Sequence, residues 1–190
     1  MSKRFVLVLG GARSGKSDLA QKLARDIEGS VLFIATAQSG DKEMHERIEA
    51  HRRTRPPEWR TVEEPVAVAE AVEREAREAG VVLLDCVTLW VSNLLLRSKH
   101  PSEAEGELMT QLGVLHDWYR GGSRSLVIVS DEVGMGLVPE YPSGRAFRDL
   151  LGRANQRLAQ LATQVYLVVA GMPIELKGLA ARPWRQEGDR

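Results

Sequence analysis

Five short apolar runs recur along the chain: Phe5–Leu9, Val31–Ala35, Val81–Leu84, Leu126–Val129 and Val165–Val169. None alternates with polar residues, which predicts strands buried on both faces, as in a parallel sheet. Between these runs the apolar positions switch to helical spacing. Leu19, Ala20, Leu23, Ala24 and Ile27 form one stripe and predict a helix over 17–27. A second helix is expected from Asp41 to about Arg53, with Met44, Ile48 and His51 on one stripe. Arg55-Pro56-Pro57 ends it, because proline disfavours helix in the residue before it. Pro65–Ala79 reads as a surface helix with proline near its start and Gly80 as its stop. Further helices are expected over 88–96, from about 103 to 119, and over 145–162. The segment Thr88–Leu96 is apolar nearly all round, more than one domain face requires. Burial between subunits is the expectation for it, with Trp90 in the core or at that interface.

Strands alternating with helices imply an α/β fold with a mostly parallel sheet and helices on both faces. In such sheets ligands gather at the carboxyl ends of the strands. The segment after the first strand, Thr36, Asp85 and Asp131-Glu132 all fall there. No internal repeat or linker splits the chain, so one domain is expected over 1–177, followed by a tail over 178–190.

Composition narrows the class. The chain has 190 residues, 43% apolar and 27% charged, enough for one ordinary globular core. Lys plus Arg and Asp plus Glu are 26 each, so no global field recruits nucleic acid or an anionic membrane. The single cysteine, Cys86, rules out an intrachain disulfide and a cysteine-type zinc site, and suits a reducing compartment. The apolar run near the N-terminus is too short for a secretory signal. No run approaches the roughly 20 apolar residues of a membrane span. A cytoplasmic protein with no nucleic-acid partner is expected.

The chemistry is concentrated in Gly10-Gly11-Ala12-Arg13-Ser14-Gly15-Lys16-Ser17, which fits G-x-x-x-x-G-K-[ST] at every fixed position and lies between a strand and a helix. Glycines let backbone N–H groups approach phosphate oxygens, and the helix that follows points its positive end at them. Lys16 reaches the β- and γ-phosphates, and the Ser17 hydroxyl is suited to Mg²⁺. A Mg²⁺–nucleotide site also needs a carboxylate at a neighbouring strand end. Asp85 and Asp131 both qualify, with Asp85 preferred; either could instead cap the element that follows it. Thr36, Ala37 and Gln38, after the second strand, are expected to line the nucleotide pocket. The N-K-x-D tetrapeptide of Ras-like GTPases does not occur.

Five segments occur in order: GGARSGKS, IATAQ (34–38), RIEAHRRTRPPEW (47–59), EVGMGLVPE (132–140) and GRANQRLA (152–159). Together, over about residues 4–177, they resemble the bifunctional adenosylcobinamide kinase / adenosylcobinamide-phosphate guanylyltransferase family. The resemblance implies a RecA-like P-loop fold, a trimer, and GTP and ATP as substrates. It implies phosphorylation of adenosylcobinamide, then transfer of GMP from GTP to the phosphate so formed. It also implies a covalent guanylyl-histidine, and the family's H-x-x-x-R-P segment matches His51, four residues before Arg55-Pro56. A neutral imidazole is a competent nucleophile, and Arg52, Arg53, Thr54 and Arg55 follow it with three positive charges. On its residues alone, His51 could equally be a packed member of the Met44–Ile48 stripe. The family uses an acid at Glu63 for the nucleotide; alone, Glu63 reads as a solvated acid. Asp85 stands where the family often has glutamate, one methylene longer. Gly134 and Gly136 make either a loop able to fold over a large substrate or a simple turn. Two other readings stay open: a monofunctional P-loop small-molecule kinase, and a RecA-like NTPase binding module.

Overall fold

The computed structural model describes residues 3–38, Glu46, Glu49, Arg52, Arg53 and residues 55–179. Seven strands form one sheet: β1 Phe5–Gly10, β2 Val31–Ala35, β3 Arg60–Glu63, β4 Val81–Asp85, β5 Ser125–Asp131, β6 Gln164–Val169 and β7 Met172–Glu175. Their order across the sheet is β3-β2-β4-β5-β1-β6-β7. All neighbours are parallel except β6 and β7, which form an antiparallel hairpin. The helices are α1 Lys16–Arg25, α2 Val68–Glu75, α3 Val87–Arg97, α4 Pro101–Gly121 and α5 Pro142–Leu161. One strand, β5, stands between the P-loop strand β1 and β4, the RecA-like arrangement.

Four of the apolar runs become the sheet's buried interior, whereas the fifth, in β6, is only partly buried and ends on Val169 at 52% exposure, because β6 lies next to the edge hairpin. Strands β1 and β2 are buried at every residue, and β4 and β5 at all but their last. Successive residues serve opposite faces, as a strand's period of two requires. Phe5, Leu7 and Leu9 join a core closed by α2, α3, α4 and α5. Val6 and Val8 join a smaller core with Ala20 and Ala24 of α1, Phe33 and Trp59.

Two strands lie outside the sequence expectation. Strand β3 reads Arg-Thr-Val-Glu and is largely exposed, and β7 reads Met-Pro-Ile-Glu. Both are edge strands, where one side needs no partner and proline or charge is tolerated. Neither therefore carries a buried apolar run. The helix expected over 65–79 is shorter. The Glu64 carboxylate accepts hydrogen bonds from the N–H groups of Val66 and Ala67, and regular helix begins at Val68. The helix expected over 41–53 lies outside the described residues except for Glu46, Glu49, Arg52 and Arg53, which are helical.

The apolar helix over 88–96 is buried largely within the chain itself, with Leu96 left 84% exposed. Val87, Trp90, Val91 and Leu94 of α3 are buried in the chain's own core, with α4 and α5 as neighbours. A helix wedged between a sheet and two other helices has more than one face to bury. Trp90 is 0% exposed, and its indole N–H donates to the Val66 carbonyl at 2.8 Å. Among the described residues no helix is long and apolar enough to cross a membrane.

Trp90→Ala leaves a cavity between α3 and the sheet. Gln111 also donates to the Val66 carbonyl, so that oxygen keeps a partner and the loss is mainly one of packing. The expected cost is about 3–5 kcal/mol, read as a lower urea midpoint with an unchanged slope.

Candidate functional site

Strand β1 ends at Gly10, and α1 begins at Lys16, so the phosphate loop is a five-residue link between two fixed elements. Its shape depends on two backbone conditions. Gly15 caps α1 with φ +92°, a left-handed conformation that side chains resist. At Gly10 a Cβ would lie 2.7 Å from the Val168 carbonyl and press on the Ser14 side chain. Gly11 is different: nothing lies within 4 Å of a Cβ there. The loop is tied to its surroundings through its backbone. Ser14 N–H donates to Gly11, Glu132 N–H to Gly10, and Gly171 N–H to Ser14. The last contact comes from the turn of the β6–β7 hairpin, an element that the sequence reading lacked. Ala12 and Arg13 are exposed, Ser17 is half-buried, and Lys16 is buried.

The Lys16 ammonium lies 2.6 Å from the Asp131 carboxylate and donates to the Gly11 carbonyl at 3.3 Å. Of the two carboxylates weighed from sequence, Asp131 is thus the one on the P-loop lysine. Parallel pairing explains it, because Gly10 and Asp131 are register partners on adjacent strands. Asp131 is also fixed through its main chain. Its N–H donates to the Thr88 hydroxyl at 2.9 Å, and its carbonyl accepts from the Asn155 amide at 3.0 Å. Ser130 donates to the other end of the Asn155 amide at 2.6 Å. Asn155 and Ser130 are buried, and Thr88 is half-buried. The sequence signal was a polar Asn155 on the same α5 face as Leu151, Ala154 and Leu158, all buried.

The second carboxylate, Asp85, ends β4 one strand further out. Thr36 holds this corner. It is fully buried, its N–H donates to the Asp85 carbonyl, and its hydroxyl both accepts from Cys86 N–H and donates to the Cys86 carbonyl. Asn93 ties the Thr36 carbonyl to that of Pro65. Thr36 therefore offers position rather than a free hydroxyl. Burial, then the charges of Asp85 and Asp131, push the Cys86 thiol up to about 12. It stays neutral at working pH and is no competing nucleophile.

Arg55 lies half-buried with its guanidinium 3.8 Å from the Phe33 ring centroid. Burial lowers its ordinary value, Asp85 opposes that, and Arg52 adds to the lowering. Its Nε is buried without a hydrogen-bond partner among the described residues. Arg52 pairs with Glu63 and with Glu49, bringing two predicted nucleotide residues together. Both partners of the Arg52–Glu63 pair are about half-exposed, so it adds little stability. Arg53 and Gln38 are exposed and Ala37 is half-buried. His51, Thr54, His45, Met44 and Ile48 lie outside the described residues. The segment after Asp131 is exposed at Met135, Leu137, Val138 and Tyr141, and Glu132 accepts a hydrogen bond from Gly134 N–H.

A concavity of about 460 Å³ lies at the opposite ends of the strands, lined in part by Lys3, Arg77, Glu78 and Arg124. Two of its cations are already engaged. Lys3 donates to three carbonyls at the end of α4, and Arg124 donates to the Arg77 carbonyl. The phosphate chemistry belongs to the P-loop end.

Comparison with known proteins gives a consistent result. Residues 6–176 match the family model described as cobinamide kinase / cobinamide phosphate guanyltransferase. The bifunctional adenosylcobalamin biosynthesis protein CobP of Pseudomonas aeruginosa is 44% identical over 175 residues, covering 90% of this chain and 96% of the relative. The bifunctional adenosylcobalamin biosynthesis protein CobU of Escherichia coli is 44% identical over 181 residues, covering 91% of this chain and 99% of its own length. That of Salmonella typhimurium is 39% identical over the same shares.

The steric difference between the two loop glycines gives a test. Gly10→Ala must displace the Val168 backbone, and nucleotide affinity is expected to fall by about tenfold or more, which is about 1.4 kcal/mol. Gly11→Ala is expected to stay within a few-fold. Equilibrium titration with a fluorescent triphosphate reads both.

Proposed function

The chain belongs to the cobinamide kinase / cobinamide phosphate guanyltransferase family, and from that premise we propose how its residues divide the two reactions. The protein is an enzyme of cobalamin biosynthesis, a kinase and nucleotidyltransferase on one P-loop domain. In the first reaction the γ-phosphoryl group of ATP or GTP passes to the hydroxyl of adenosylcobinamide. In the second, GMP from GTP passes to adenosylcobinamide phosphate, giving adenosylcobinamide-GDP and pyrophosphate. The observation that carries this reading is the P-loop itself: a buried Lys16 at the start of α1, set in a loop whose glycines meet real steric conditions.

His51 is the proposed nucleophile of the second reaction. Its imidazole attacks the α-phosphorus of GTP, the bond to the bridging oxygen breaks, and pyrophosphate leaves with the electron pair. Lys16 and the loop N–H groups stabilise that leaving group. The phosphate of the acceptor then takes GMP from the histidine. Arg55, within electrostatic reach of Asp85, supports the assignment, because it belongs to the same H-x-x-x-R-P segment. Arg52, Arg53, Thr54 and Glu63 contact the nucleotide in this reading, alongside the loop residues 10–17, Ala37 and Gln38, whereas the fully buried Thr36 positions its corner of the site rather than touching the nucleotide as the sequence suggested.

Among the described residues no group of three or more His, Cys, Asp or Glu forms a protein-only metal cage. The Ser17 hydroxyl and the Asp85 carboxylate are hard oxygen donors that fit Mg²⁺ brought in with the nucleotide, whose phosphates and waters complete its shell. Bound there, Mg²⁺ neutralises charge between the phosphates. The location that suits this chemistry is the cytoplasm, supported by the single, buried and unpaired Cys86.

A homotrimer is the proposed assembly. Exposed Val169, Met172 and Ile174 on the β6–β7 hairpin, with Leu96 of α3, are apolar residues that support it.

With α-labelled GTP, the wild-type chain is expected to acquire an acid-labile, base-stable label. His51→Asn should lower that labelling by roughly a thousandfold or more, while phosphorylation of adenosylcobinamide persists. Lys16→Ala should remove both activities. Label retained on another residue of His51→Asn would show the nucleophile to be elsewhere. For the assembly, sedimentation equilibrium at micromolar concentration should give three times the 21.1 kDa chain mass. A clean monomer would refute the trimer.

A further inference from the structure

We propose that Asp131 is the proton acceptor of the phosphoryl-transfer reaction, held by Lys16 until the nucleotide arrives. The inference rests on the kinase reading above and adds a residue to it.

The acceptor hydroxyl must lose a proton as its oxygen attacks the γ-phosphorus, and a carboxylate near the transferred group serves this purpose in phosphoryl transfer. Among the described residues, Asp131 has the position for it. Its carboxylate lies 2.6 Å from the ammonium that will hold the β- and γ-phosphates. It ends the strand next to β1, whereas Asp85 lies one strand further away beside Arg55.

Three side chains fix Asp131, one of which, Thr88, also hydrogen-bonds the Cys86 thiol. Thr88 takes its N–H, Asn155 gives an N–H to its carbonyl, and Ser130 locks the Asn155 amide. Burying an asparagine in the apolar stripe of α5 costs stability unless its amide is satisfied. Here the amide is satisfied at both ends, and the result is a strand terminus with both main-chain groups of Asp131 anchored. The side chain itself remains 22% exposed, open to an acceptor and to solvent. The segment that follows, 132–141, is largely exposed, so among the described residues it leaves that approach open.

The sequence of events follows from charge. With no nucleotide, Lys16 and Asp131 neutralise each other. When the triphosphate enters, several phosphate oxygens replace one carboxylate as partners of the ammonium, and Asp131 is released beside the γ-phosphoryl group. The hydroxyl proton passes to the Asp131 carboxylate as the new O–P bond forms. The bond from γ-phosphorus to the bridging oxygen breaks, and the nucleoside diphosphate leaves with the electron pair. Asp131 then gives its proton to water through its exposed edge. Guanylyl transfer to a neutral imidazole has no hydroxyl to deprotonate and does not need this carboxylate.

The enzyme therefore contains its own control. Asp131→Asn keeps the side-chain shape and both main-chain bonds. In one preparation, with the unfolding midpoint measured alongside, kcat for phosphorylation of adenosylcobinamide should fall by about a hundredfold or more. The KM for the triphosphate should not rise, and labelling by α-labelled GTP should stay within a few-fold. Equal loss of both activities would overturn the proposal, since it would mean that Asp131 acts only through Lys16 or the fold. Unchanged phosphorylation would overturn it too. Asn155→Ala should lower phosphorylation more than labelling, and an equal effect on both would count against the bracing role. Absence of phosphorylation in the unaltered protein would instead refute the kinase reading on which this one stands.

Discussion

Strand β1 is hydrogen-bonded along both edges, to β5 and β6, and is buried along its whole length. The six residues that lead into the phosphate loop consequently have little freedom, and the loop inherits a fixed origin. Its other end is fixed as well, because α1 packs Ala20 and Ala24 onto the same sheet. A loop held at both ends can keep its backbone in one shape on binding, which is what electrostatic preorganisation requires, while the Lys16 ammonium has only to exchange Asp131 for phosphate. The tie from Gly171 to Ser14 adds a third anchor from the β6–β7 hairpin.

The two carboxylates at the strand ends have different companions, and this separates their chemistry. Asp131 faces the P-loop lysine and is braced from α3 and α5. Asp85 faces the arginine of the H-x-x-x-R-P segment and is braced from Thr36. The two reactions need charge handled at two phosphorus atoms, γ for phosphoryl transfer and α for guanylyl transfer. Neighbouring parallel strands supply carboxylates about one strand spacing or two from the loop, which is a natural scale for that separation.

The faces of the sheet are unequal. Four helices cover one face, where Trp90, Leu108, Leu112, Leu150 and Leu158 build the larger core. On the other, α1 shares the cover with Trp59 and with Arg55 over Phe33. The larger core stabilises the scaffold, while the smaller carries the residues that reach the nucleotide end. Function-bearing segments on the thinner side of a rigid sheet accord with the general placement of binding residues on connections rather than in cores.

The sequence by itself determined the five interior strands, the parallel α/β class and the phosphate loop. Each of these is a local signal: an unalternated apolar run, a switch to helical period, a fixed spacing of glycines and Lys16. The family was legible too, because five segments in order are far more specific than one loop. The edge strands β3 and β7 were not legible, since an edge exposes its residues and needs no apolar pattern. For α3, most of the apolar surface is used within the chain once α4 and α5 are in place, and Leu96 stays exposed. What only the tertiary structure decided is which residues meet. Lys16 finds Asp131 across 115 positions because parallel pairing puts Gly10 beside it, and Asn155 finds Asp131 because α5 packs back across β5. Register and packing are long-range geometric outcomes, and no local pattern of residue types encodes which of two strand-end aspartates will face the lysine.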